Sequence, residues 1–453
     1  MDEYINAIGI GKFHIKLALI SGLAWLADCM EIQVIGLLGP VLGFEWLLSS
    51  FQVSLISATV FLGTSIGAPM FGYIGDKYGR KTVLMLGAAL TCFYGLLSAF
   101  SPHFIWILIL RSLVGVGVAA QSQAVSYFSE FLPAKSRGRG VAFLAIAYSL
   151  GAILEACLAV LILDPYGWQL WLMVSALPML VFLFFMSFFP ESPRFLNTSG
   201  FNSKAMLTLR MVADENSAHL PKGMLKRDKK VETGDVRSLL RKEYLRITAL
   251  TWSIAFIQTF LLYGIIMAST LLVARGGTCN TSGPVDLFAQ PCQVGRHGMQ
   301  SKNYVDLMIT SAADLGGALL NLVIIDVVGR KWTLMIASFG FCLSVSSLHF
   351  CFGGNLLVAI LFIARLFASS YAGCSWIYIA EIYTTNMRGI ALGMCASVSR
   401  IGAIVTSFCA TLLMAYSVKT AAIVFACVAL CGCIASALLP VETKGRFLDA
   451  GPK

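Results

Sequence analysis

The chain has 453 residues, of which 58% are hydrophobic and only 12% charged, with a formal net charge of +10 and a mean hydropathy of +0.80. Soluble proteins are nearer a quarter charged, so there is too little polar surface here to cover a water-facing particle, and composition argues against a large soluble enzyme. The basic surplus lies in short segments between apolar runs, with no basic stripe of interleaved aromatics. It reads as membrane topology rather than nucleic-acid binding.

The N-terminus, MDEYINAIGIGKFHIK, lacks the pattern of a cleaved signal. The apolar run that follows is too long and too acidic for a signal core, so it is read as the first span. A span needs about 20 apolar residues. Runs of that length predict twelve, at roughly 17–38, 52–74, 83–100, 105–127, 140–162 and 169–189, then 247–273, 304–326, 333–352, 356–378, 389–414 and 420–439. The first span carries Asp28 and Glu31, whose spacing puts both carboxylates on one face of a helix. Other charges also fall inside spans: Arg111 in the fourth, Glu155 in the fifth, Asp314 in the eighth, Arg365 in the tenth and Arg400 in the eleventh. Charges at such depth cost at least about 2.5–3.5 kcal/mol each and normally face a cavity or a partner. Four acids stand against three arginines. If each arginine takes one acid, a carboxylate remains that can take up a proton, and Asp28 and Glu31 are the candidates for that role. Arg400 has two readings, an anion-binding group for a solute or a partner of Asp314 or Asp28. Gln123, Gln258, Tyr263, Tyr371 and Trp376 are candidate cavity-lining groups near mid-depth, each weighed against plain helix packing. Gly63, Gly67, Gly115, Gly117, Gly389 and Gly393 read as small residues that let helices approach.

A polar segment, about 190–246, separates the two sets of six. It is expected to be a solvated loop with one short amphipathic helix near 203–215. Placing both termini, this segment and the loops after even-numbered spans on one side gives that side 26 of the 33 basic residues. That side is therefore expected to be cytoplasmic. On the opposite side, the loop at about 276–303 holds Cys279, Cys292 and the sequon Asn280-Thr281-Ser282, candidates for a disulfide and a glycan. The other cysteines of the 13 lie in apolar runs and read as small packing residues. No CxxC or Cys/His cluster points to a metal. Nor does a P-loop point to ATP, and His14, His103, His219, His297 and His349 form no catalytic set. No cofactor and no enzyme activity are expected.

The halves repeat. Asp76, Gly79, Arg80 and Lys81 follow the second span, and Asp326, Gly329, Arg330 and Lys331 follow the eighth, 250 residues later. Glu130 and Arg137 recur as Glu381 and Arg388, and Glu191 recurs as Glu442, each 251 residues on. This is a duplicated six-span unit, the plan of two-lobed secondary transporters.

The motif GYIGDKYGRK (72–81), Arg111-Ser-Leu-Val-Gly115-Val-Gly117, Pro190-Glu-Ser-Pro-Arg194 and Glu442-Thr-Lys-Gly445 resemble those of the major facilitator superfamily over essentially the full length. Gly22-Leu-Ala-Trp-Leu-Ala-Asp28-Cys-Met-Glu31, Ile8-Gly-Ile-Gly-Lys-Phe13, Arg400-Ile-Gly402 and Pro440-Val-Glu-Thr-Lys-Gly-Arg446 are similar to synaptic-vesicle-2-related, transporter-like members. Organic ion and sugar porters are neighbours. The second half departs from the pattern: Leu322 stands for Gly72, and Ser369 and Tyr371 stand for Gly115 and Gly117. The resemblance implies an all-α membrane protein of twelve transmembrane helices in two six-helix lobes. The lobes are 1–189 and 247–453, the latter with a short cytoplasmic tail, joined by a cytoplasmic loop at 190–246. It further implies alternating access for a small, charged organic solute, with or without protons, by a monomer in a vesicle or plasma membrane. Asp76, Arg80, Glu130, Arg137, Glu191, Asp326, Arg330, Glu381, Arg388 and Glu442 are the implied cytoplasmic gate. Relatives without an assigned substrate keep open a second class, a transporter-like receptor or nucleotide-binding scaffold.

Overall fold

The computed structural model describes residues 1–133, 136–221, 236–274, 301–350, 352–383 and 385–444, and among these residues there are helices and no strands. Among the described residues, twelve helices are long and apolar enough to cross a membrane. In chain order they are α1 Lys12–Glu45, α2 Ser50–Tyr78, α3 Arg80–Ser98, α4 Phe104–Phe131, α5 Ala142–Leu163 and α6 Trp168–Met186. They continue with α7 Tyr244–Val273, α8 Lys302–Val328, α9 Arg330–Phe350, α10 Gly354–Ile382, α11 Met387–Tyr416 and α12 Val418–Ala437. In lipid a spanning helix must bond its own backbone throughout, which is why an apolar run of this length folds this way. The predicted spans all appear, several with longer ends. α1 exceeds its apolar run by a turn or more at each end, and its first turn buries Phe13 and His14 against protein.

The central segment is more structured than expected. It forms helices Pro193–Thr198, Asn202–Glu215 and Val236–Leu239. Helix Asn202–Glu215 buries Leu209, Val212 and Ala213 in one cluster with Tyr4, Ile5 and Ile8 of the N-terminal helix Asp2–Ile8 and with Phe13 of α1. Asn216 at its end accepts from the Phe13 N–H at 3.0 Å and bonds the His14 ring at 3.1 Å.

The chain forms two compact units that interleave along the sequence. One comprises Met1–Glu31, Leu62–Gly151 and Leu172–Val231, and the other Ile32–Phe61, Ala152–Trp171 and Glu232–Lys453. In the first, α2 and α4 meet through glycine: a Cβ on Gly63 would lie 2.0 Å from the Ser112 carbonyl oxygen, and one on Gly67 2.6 Å from that of Val116. The second unit contains stretches of the first half as well as all of the second. There Gly36 of α1 faces Ile266 of α7, Phe61 of α2 stacks on Tyr263 of α7 at 5.0 Å, and Ser54 of α2 hydrogen-bonds Thr411 of α11. Gly402 of α11 lies against the Phe256 carbonyl of α7. Gly389 and Gly393, expected to mediate close packing, have open space around them.

The duplication extends to backbone detail. Both α5 and α11 carry a π-helical turn near their C-terminal ends, Ala159–Leu163 and Cys409–Leu413, 250 residues apart. Such turns are rare inside α-helices, so their matching register is a structural copy of the sequence repeat.

Candidate functional site

The charged motifs assemble into two clusters of the same design, one in each unit. In the first, Gly79 precedes α3 with φ of 110°, a conformation that favours glycine. A Cβ there would also strike the Glu191 carboxylate. That carboxylate accepts from the Lys81 backbone N–H at 3.1 Å and the Ser192 N–H at 2.8 Å. It thereby occupies the start of α3, where unpaired N–H groups and the helix dipole favour an anion. Arg80 reaches Asp76 at 2.9 Å and Glu130 at 3.7 Å, and Ser192 Oγ donates to Glu130.

The second cluster repeats this plan. Gly329 precedes α9 with φ of 100°, and the Glu442 carboxylate accepts from the Arg330 and Lys331 N–H groups at 2.8 and 3.0 Å. Arg330 grips Glu381 with two bonds of 3.0 and 3.1 Å and Asp326 with one of 3.1 Å. Two members escaped sequence reading. Tyr127 donates to the Pro190 carbonyl and Tyr378 to that of Val441. Lys81 and Lys331 likewise donate their ammonium groups to Ser187 and Leu439 carbonyls at 2.9 and 2.8 Å. The same 251-residue offset relates Tyr127 to Tyr378, and it is the signal that could have found them. The side chain of Arg137 lies outside the described residues. Arg388 is half-buried, and its Nε and one terminal nitrogen have no hydrogen-bond partner among the described residues.

Four of the charges inside the spans form two pairs. In the first unit Arg111 of α4 donates to Glu31 of α1 at 3.0 Å, with side-chain exposures of 2% and 8%. In the second unit Arg365 of α10 holds Asp314 of α8 with two bonds of 3.0 and 2.7 Å. Asp314 is thus taken by Arg365, and its pairing with Arg400 is not made. Arg400 is half-buried on α11 and has no hydrogen bond or ion pair among the described residues. Asp28 is half-buried and Glu155 fully buried.

Of the aromatic and amide candidates, Gln258 engages the Ser375 hydroxyl. With its amide oxygen turned to the Trp376 indole N–H at 3.3 Å, its nitrogen also donates to the Ala372 carbonyl at 3.3 Å. Tyr263 is held against Phe61, and Tyr371 is completely buried with its hydroxyl near Gly432. Gln123 is half-buried on α4. Cys279, Asn280 and Cys292 lie outside the described residues.

A small cavity in the second unit joins five helices. Gln33 of α1, Ser269 and Thr270 of α7, Ser311 of α8 and Arg365 of α10 supply its polar lining, and aliphatic side chains of α1, α5, α7 and α8 the rest. Its volume of about 10 Å³ is the room of about one water.

The family model "Sugar (and other) transporter" matches residues 27–278, and "Major Facilitator Superfamily" matches 301–451. The chain is 37% identical to the Synaptic vesicle 2-related protein of Xenopus laevis over 449 residues, 99% of this chain and 82% of that one. The protein of the same name from Rattus norvegicus matches to the same extent. Among solved structures, a D-xylose-proton symporter superposes with a TM-score of 0.73 at 20% identity, over 96% of this chain and 100% of that one. At that identity the likeness is one of fold.

Proposed function

The chain belongs to the major facilitator superfamily, and from that premise we propose that it is a secondary transporter moving a small, anionic organic solute by alternating access, coupled to protons. The observation that carries the sign of the solute is Arg400. Arg111 and Arg365 each have a buried carboxylate, whereas Arg400 has no partner among the described residues. A guanidinium at that depth without a counter-charge is costly, and a solute carboxylate or phosphate would supply one through paired N–H bonds.

The proton carrier in this reading is Glu31. It accepts one hydrogen bond from Arg111 where Asp314 accepts two from Arg365, so of these two arginine-bonded acids it is the less firmly held. A proton on Glu31 would weaken its hold on Arg111, a change inside the first lobe that can bias a conformational equilibrium of a few kcal/mol. We take the lobes as 1–189 and 247–453, joined by 190–246 with the motif-bearing ends and both termini facing the cytoplasm. The two charged clusters support a gate reading. Each carboxylate of the set is bonded to an arginine or a helix start rather than left to fix topology alone.

The experiment is uptake into proteoliposomes of purified protein with and without a proton gradient. Wild type is expected to accumulate a substrate anion only with the gradient, and Glu31→Gln to exchange it across the membrane without accumulating it. Gradient-driven accumulation by Glu31→Gln would remove Glu31 as carrier. Tight binding of a soluble macromolecule with no uptake of any small anion would favour a scaffold.

A further inference from the structure

We propose that the small cavity beside Arg365 is a subsite for one hydroxyl group of the solute. The inference rests on the transporter reading above and adds a second recognition point to it.

The lining decides the chemistry. Gln33 is 5% exposed, and its amide nitrogen has no hydrogen-bond partner among the described residues. A buried N–H group left without an acceptor is unfavourable, so a ligand atom that accepts from it is favoured. Across the cavity, Ser269 and Thr270 donate their hydroxyl protons to the Ile266 carbonyl at 2.8 and 3.1 Å. Their protons are committed to their own helix, and what they offer the cavity is lone pairs. The site therefore presents a donor on one wall and acceptors on another. A hydroxyl satisfies both, because it accepts and donates through one oxygen.

Charge and size exclude the alternatives. Arg365 lines the cavity, but its charge is met by Asp314 through two bonds, and both residues are at most 5% exposed. An anion entering here would be a further buried charge without its own partner. A cation would meet the free amide N–H and the guanidinium. The volume admits one oxygen-sized group, and a hydroxyl that takes the place of a water can keep the bonds that a water would make. Taken with the proposed role of Arg400, the solute is an organic acid that also carries a hydroxyl group.

The test uses pairs of acids that differ by one hydroxyl: lactate and propionate, 3-hydroxybutyrate and butyrate, malate and succinate. Binding to the purified full-length protein in nanodiscs is measured by calorimetry and by shift of the melting temperature. The hydroxylated member of at least one pair is expected to bind about tenfold or more tightly than its partner. Gln33→Leu is expected to bring the two within about twofold, and Gln33→Asn, which keeps the amide, to retain part of the preference. Binding of both members equally by wild type, with affinity lost in Arg400→Gln, would overturn the subsite and leave the anion reading standing. Binding of no acid in any pair would overturn both.

Discussion

At the smallest scale, Arg365 and Arg400 have opposite surroundings: the first is paired with Asp314, the second has no partner among the described residues. Arg365 is neutralised within its own unit, so removing it strands a buried carboxylate. Arg365→Ala is expected to destabilise the protein by about 3–5 kcal/mol, read as a fall in the unfolding temperature of detergent-solubilised protein. The double change Arg365→Met with Asp314→Leu is expected to recover most of the loss. Gly79 and Gly329 are constrained twice, by positive φ and by the carboxylate that sits where a Cβ would go. Gly79→Ala and Gly329→Ala are each expected to cost about 1–3 kcal/mol from the backbone conformation alone and to displace Glu191 or Glu442. Gly389→Ala, with open space around it, is the matched control and is expected to leave the unfolding temperature unchanged. The sequence revealed that these arginines call for a partner or a cavity, as charge inside a span normally does. It did not reveal which acid each one takes. That depends on how each helix is rotated and how deep it sits, and neither is encoded in a local pattern. Asp314 was a candidate partner for Arg400 and is held by Arg365 instead.

At the scale of the element, the helices themselves were legible. Hydropathy alone locates twelve runs, and lipid leaves an apolar run of that length no alternative to a helix. Their ends were less legible. α1 and the central segment reach further because Phe13, Leu209 and Val212 bury against protein, and their short mixed patterns resemble solvated loop in the sequence. The π-helical turns of α5 and α11 carry no sequence mark at all. The glycines show why a small residue is weak evidence by itself. Gly63 and Gly67 sit against the α4 backbone, but Gly389 and Gly393 face open space although they looked the same in sequence. Gly63→Val is accordingly expected to force α2 and α4 apart and to cost about 1–3 kcal/mol through overpacking. The checks are thermal unfolding and the yield of folded protein. Gly72→Ala, also in α2 and with nothing within 4 Å, should be silent in both.

At the scale of the whole molecule, the duplication was the strongest sequence signal and it extends beyond the motifs. Tyr127 and Tyr378 bond equivalent carbonyls, Lys81 and Lys331 each bond a carbonyl just past the end of α6 or α12, and each carboxylate, Glu191 or Glu442, caps the start of a helix one half-repeat from its copy. A scaffold would have little use for two copies of this device, and a transporter that alternates between two states can use both. The repeat also marks where symmetry is broken. Arg111 takes its acid from α1 and Arg365 takes its acid from α8, so the two halves offer different chemistry from equivalent arginines. Arg400 adds a third cation for which the described residues provide no acid.

The measurement that tests this account most directly is uptake of a panel of radiolabelled small organic anions by proteoliposomes containing wild type or Arg400→Gln, with the unfolding temperature as a folding control. The account predicts saturable uptake of at least one anion by wild type, and loss of about tenfold or more in Arg400→Gln at an unchanged unfolding temperature. Equal uptake by the two proteins, or saturable uptake of cations alone, would contradict it.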